Sequence, residues 1–76
     1  MKPQWLVSAP RKGGLRETYD TQNEARKRCV DLLGVDVAEM VEYDFPEGGG
    51  AYCYRTEYDA DRDLDGAYTV QYREVG

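Results

Sequence analysis

Apolar and polar positions alternate with two different periods along this chain. Trp5, Val7 and Ala9 fall on one side of an extended segment and Leu6 and Ser8 on the other, which predicts a strand over 5–9. Pro10-Arg11-Lys12-Gly13-Gly14 is a turn signal. Leu15, Glu17 and Tyr19 then alternate with Arg16 and Thr18, as a second strand of a hairpin or as a loop. The period next changes to that of a helix. Thr21-Gln22-Asn23-Glu24 fits a capping box, Ala25, Cys29, Leu32 and Leu33 form one apolar stripe, and Gly34 stands where a left-handed cap is wanted.

Period-2 alternation returns after the helix. Val37–Phe45 places Val37, Val41, Tyr43 and Phe45 on one face, with Met40, Glu42 and Asp44 on the other. After Pro46-Glu47-Gly48-Gly49-Gly50, Ala51–Tyr58 places Tyr52, Tyr54 and Tyr58 opposite Cys53, Arg55 and Glu57. Residues 59–65 read as an acidic loop, and 66–74 as a last strand with Tyr68, Val70 and Tyr72 on one face. The pattern predicts one α+β domain over 1–76. One α-helix packs on a small antiparallel sheet of four or five strands, β-β-α-β-β-β or β-α-β-β-β, with the helix across the tyrosine-rich face.

Composition narrows the class. With 76 residues the chain is one domain's length and buries roughly 60% of its unfolded surface, which leaves little volume for a deep catalytic pocket. Apolar residues at 41% beside charged residues at 33% suit a folded chain rather than a disordered one. No apolar run approaches the roughly 20 residues of a membrane span, and the first residues are too short an apolar stretch for a signal peptide. A cytoplasmic location is the expectation. Cys29 and Cys53 read as buried thiols rather than a disulfide, and two cysteines with no histidine do not make a zinc site.

Charge is unevenly placed. The net charge is −5, yet residues 1–34 hold seven basic and four acidic groups, and residues 35–76 hold three basic and eleven acidic ones. The basic triplet Arg26-Lys27-Arg28 is expected to pair within its own helix, Glu24 with Arg28 and Lys27 with Asp31. The acidic second half repels nucleic acid and anionic membrane and attracts basic proteins.

Little here supports catalysis. There is no histidine, Ser8 is the sole serine and has no evident base, and exposed carboxylates are poor acids near neutral pH. Asp61-Arg62-Asp63-Leu64-Asp65-Gly66 matches the first half of a calcium loop, making Asp61, Asp63 and Asp65 candidate ligands. The position of the bidentate Glu is Tyr72, and no flanking helix is expected. Without calcium no cofactor is implied. Seven tyrosines either form the core or, where one helix of roughly 18 Å cannot cover them, an interface. Tyr54 and Tyr68 are expected inside, Tyr58 or Tyr72 nearer the rim. Finally, Glu57, Asp59, Asp61, Asp63 and Asp65 at roughly 6.6 Å per alternate residue match the spacing of backbone phosphates. With Glu42, Asp44 and Tyr58 they make the candidate partner-binding set.

The short domain, the helix opened by Thr21-Gln22-Asn23-Glu24 and the acidic stretch 57–65 together resemble small phage-encoded inhibitors of bacterial defence, anti-CRISPR proteins in particular. That resemblance implies a non-catalytic protein that occupies the nucleic-acid site of a CRISPR effector complex in the bacterial cytoplasm. The implied partner is a basic, nucleic-acid-handling protein, with no direct contact to nucleic acid or membrane. A small calcium-binding domain and a structural or oligomeric module are the rival expectations, and the sequence leaves the oligomeric state open.

Overall fold

Thr21 opens the long helix as its neighbours predict. Its hydroxyl oxygen accepts from the Glu24 backbone N–H at 3.2 Å, and the hydroxyl donates to the Glu24 carboxylate at 3.1 Å. Gly34 closes the same helix at φ 70°, and its N–H bonds to the Val30 carbonyl. The computed structural model describes residues 2–63 and 69–76. Within them run β1 (Gln4–Ala9), β2 (Leu15–Tyr19), α1 (Gln22–Leu33), β3 (Val41–Asp44), β4 (Gly50–Tyr54), α2 (Glu57–Arg62) and β5 (Val70–Val75). The five strands form one antiparallel sheet in the order β2-β1-β5-β4-β3. This is an α+β fold with one main helix and one short helix on the sheet.

Directly paired residues of neighbouring strands share a face, so the registers define both sides of the sheet. Trp5, Val7 and Ala9 lie with Glu17, Tyr72, Ala51, Cys53 and Glu42 on the side that α1 covers. Val7, Ala25, Cys29, Ala51 and Cys53 are fully buried there and form the centre of the core. The other side carries Leu6, Ser8, Gln71, Tyr52, Tyr54 and Tyr43. Hence α1 does not cover the tyrosine-rich face. It packs over β1 and β5, where Val7 and Tyr72 meet Ala25 and Cys29 in the core.

Three further expectations change. The strand expected over 37–45 is confined to Val41–Asp44. Residues 36–40 instead form a turn, with the Glu39 and Met40 N–H groups donating to the Asp36 carbonyl. Val37 is 54% exposed while Met40 is buried, so this strand's inward face carries Met40 and Glu42 rather than Val41 and Tyr43. The strand expected to run to Tyr58 ends at Tyr54. The acidic loop expected over 59–65 begins as helix, since α2 extends to Arg62. Residues 64–68 of the loop and of the last strand, including Asp65 and Tyr68, lie outside the described residues.

Gly50 opens β4 where no side chain fits. A Cβ there would meet the Tyr72 carbonyl oxygen, the Phe45 ring at 2.7 Å and the Arg73 Cα at 2.8 Å. The last glycine of the triplet is therefore needed for close approach of β4 to β5, not for turn flexibility.

Candidate functional site

The short helix α2 is built by the same local chemistry as α1. Thr56 is its N-cap, and the Thr56 hydroxyl oxygen accepts from the Asp59 N–H at 3.1 Å. Glu57 and Asp59 occupy the first turn, where the helix dipole favours negative charge, and Arg62 the last. Six residues are too few to hold a helix alone. Two tyrosines of the open sheet face tether it. The Tyr43 hydroxyl donates to Glu57, and the Tyr54 hydroxyl to Asp63 Oδ2 at 3.2 Å. The rings of Tyr43 and Tyr54 meet edge to face at 6.0 Å, which fixes the two hydroxyls as a pair of posts. Both phenols are displaced. The bonded Glu57 carboxylate raises Tyr43 above the usual tyrosine range, while burial and the neighbouring Asp63 push Tyr54 up to about 12.

The helix also rearranges the expected binding residues. Asp59 and Asp61 are exposed on α2, and Tyr58, 65% exposed, carries the Arg62 guanidinium 5.5 Å from its ring centre. Tyr58 and Arg62 share one side of α2, Glu57 and Asp61 another, each pair four residues apart. The evenly spaced carboxylate row expected over 57–65 is therefore absent over 57–62. Asp63 is drawn to Tyr54, and its second carboxylate oxygen, Oδ1, is buried without a hydrogen-bond partner among the described residues. Asp65 lies outside them. Among the described residues no group of three or more acidic or cysteine side chains is placed to hold a metal ion, and Asp63 is committed to Tyr54 rather than turned toward Asp61.

Two of the expected residues lie away from α2. Asp44 is exposed on the edge strand β3. Glu42 faces α1 and is structural. It accepts from Arg26 Nε at 2.8 Å and from the Tyr72 hydroxyl at 2.8 Å. Tyr72 is consequently core at 2% exposure, not rim, and burial together with Glu42 pushes its phenol up to about 12. Arg28 likewise leaves Glu24 for Glu17 on β2, at 2.7 Å. The basic triplet thus clamps α1 to the sheet at two points instead of pairing within the helix. Cys29 and Cys53 are free and fully buried, as expected.

The strand charges are sorted by face. Glu17, Glu42, Asp44 and Glu74 all point to the α1 side, whereas Arg16 and Arg73 point to the open side. The acidity of the open side is therefore concentrated on α2, at the β3–β4 end. No protein-family model matches the chain, and neither the curated proteins nor the solved structures contain a match to it.

Proposed function

We propose that this protein is a non-catalytic binding module whose acidic α2 corner docks on a basic, nucleic-acid-handling protein. The carrying observation is Tyr58. It stands 65% exposed on a tethered helix, flanked in sequence by Glu57 and Asp59 and followed by Asp61. An exposed aromatic anchor on a helix that also carries Glu57, Asp59 and Asp61 suits a partner with a cationic rim and an apolar socket. The sharper form of the reading is inhibition of the anti-CRISPR type. The module would occupy the nucleic-acid site of a CRISPR effector complex in the cytoplasm of a bacterial host, with no contact to nucleic acid or membrane itself.

The test is competition. The protein is titrated into an effector complex and target-DNA binding is read at low and at high salt. Displacement of DNA that weakens as salt rises is expected, because rim charges are screened. Asp59→Asn with Asp61→Asn is expected to weaken it roughly fivefold per charge, corresponding to about 1 kcal/mol for an exposed pair. Tyr58→Ala is expected to weaken it further. Displacement that ignores both salt and these substitutions would sink the reading.

A further inference from the structure

The sheet ends in two different edges. β2 bounds one side and β3 the other, and each pairs with a strand on one flank only. A free edge presents a row of backbone N–H and C=O groups on which another strand can build. β3 is guarded against this. It runs for four residues, and Pro46 follows soon after. Two copies of β3 paired antiparallel about Glu42, Tyr43 or Asp44 would in every case set one carboxylate opposite another.

β2 has no such guard. Its five residues include neither proline nor glycine, and none has a positive φ. Its one acid, Glu17, is neutralised within the chain, accepting from Arg28 Nε at 2.7 Å and from the Tyr19 hydroxyl at 2.9 Å. Arg16, Thr18 and Asp20, which directly follows the strand, are exposed. Neither Arg16 nor Asp20 enters an ion pair among the described residues. A two-fold axis normal to the sheet keeps every side chain on its own face, so only residues an even number apart can stand opposite each other. Centring two copies of β2 on Arg16 opposes two arginines, and centring on Glu17 opposes two glutamates. Centring on Thr18 sets Thr18 against Thr18, Glu17 against Tyr19, and Arg16 against the partner's Asp20, the last two pairs twice by symmetry. Of the registers centred within β2, this one alone opposes unlike charges without opposing like ones.

We infer that the protein pairs with a second copy of itself through β2, antiparallel and centred on Thr18, so that the two sheets run on as one. Backbone bonds along the two edges hold the pair, and the Arg16–Asp20 contacts at both ends fix its register. The interface goes beyond the docking reading and shares no residue with it. Docking uses α2, which is tethered to β3 through Tyr43, at the opposite edge of the sheet from β2. The pair therefore carries its two α2 corners at its far ends, both open.

Sedimentation velocity of the full chain across a concentration series tests this. The native protein is expected to pass from monomer to dimer as concentration rises toward millimolar. Arg16→Asp and Asp20→Arg each set like charges opposite at both ends, and each is expected to raise the dissociation constant at least about tenfold. Mixed in equal amounts, the two variants are expected to dimerise again, because each supplies the charge that the other lacks. The double variant, Arg16→Asp with Asp20→Arg, is expected to dimerise as the native protein does, and it carries the test should either single variant fail to fold. Both side chains are exposed, so circular dichroism and melting in dilute solution show which variants are folded. A native protein that stays monomeric at millimolar concentration overturns the inference, as does a dimer that both single variants leave intact. Single variants that separate the dimer, with no recovery in the mixture or the double variant, overturn the register.

Discussion

Replacing Glu42 by Ala is expected to cost about 1–4 kcal/mol of stability, and the geometry shows why. The carboxylate joins two groups from different elements, Arg26 of α1 and Tyr72 of β5. Arg26 reaches it through two guanidinium nitrogens, at 2.8 and 2.6 Å, and Tyr72 donates its hydroxyl at 2.8 Å. The Arg26 and Glu42 side chains are 34% and 20% exposed, so solvent discounts that ion pair to about 1 kcal/mol or less. Tyr72 is 2% exposed, and stranding its buried hydroxyl costs about 1–3 kcal/mol. A chain of 76 residues holds about 4–11 kcal/mol in total, so the loss is a large share. The melting temperature is expected to fall by at least about 4 °C. Urea unfolding followed by Trp5 fluorescence measures it, since the Trp5 ring lies 6.0 Å from that of Tyr72. Adding Tyr72→Phe to Glu42→Ala removes the stranded donor and is expected to restore part of the loss. Stability of Glu42→Ala within about 0.5 kcal/mol of the exposed control Glu47→Ala, as for an ordinary surface change, refutes the reasoning.

Two further outcomes follow from the core. Cys29 and Cys53 are fully buried, and the neighbouring Cys29 thiol followed by burial pushes the Cys53 thiol up. Neither thiol is expected to react with an aromatic disulfide reagent until the fold opens, so labelling should slow in step with stability; immediate labelling of both in the native protein contradicts the packing. At alkaline pH the sign is set by Tyr54 and Tyr72, both raised to about 12 in the fold. Their stabilisation is whole below the unfolded tyrosine value and lost as pH climbs toward the folded one. The urea midpoint is therefore expected to fall between about pH 10 and pH 12, and to fall less in Tyr54→Phe; a midpoint flat across that window argues against both shifts.

The elements of the first half are visible in the sequence because local signals agree there. The capping residues, the apolar stripe and Gly34 all specify α1, and alternation specifies β1, while it leaves β2 open between a strand and a loop. The second half misleads because alternation over 51–58 is compatible with a strand until Thr56. Yet Thr56-Glu57-Tyr58-Asp59 has the same spacing of a hydroxyl and an acid as Thr21-Gln22-Asn23-Glu24, and the signal that opens α1 also opens α2. The inward turn of Glu42 is invisible to a polarity pattern, since a carboxylate is placed outside unless its partners are known. Arg26 and Tyr72 are 16 and 30 residues away.

The change from strand to helix at residue 57 alters what the acidic segment can engage. Four residues of extended chain span about 13 Å, so carboxylates at alternate positions could follow a phosphate backbone. Four residues of helix rise about 6 Å and turn through slightly more than a full circle. Glu57 and Asp61 are thereby stacked on one side of α2, and Asp59 faces away from them. Such a knob cannot lie along an extended basic groove as a line of charge. It can enter a single basic depression with Tyr58 leading, and the Tyr43 and Tyr54 hydroxyls hold it rigid on the sheet while it does so. Loss of these tethers should therefore weaken docking even though neither hydroxyl meets the partner, because a six-residue helix released from its posts has too little propensity to persist.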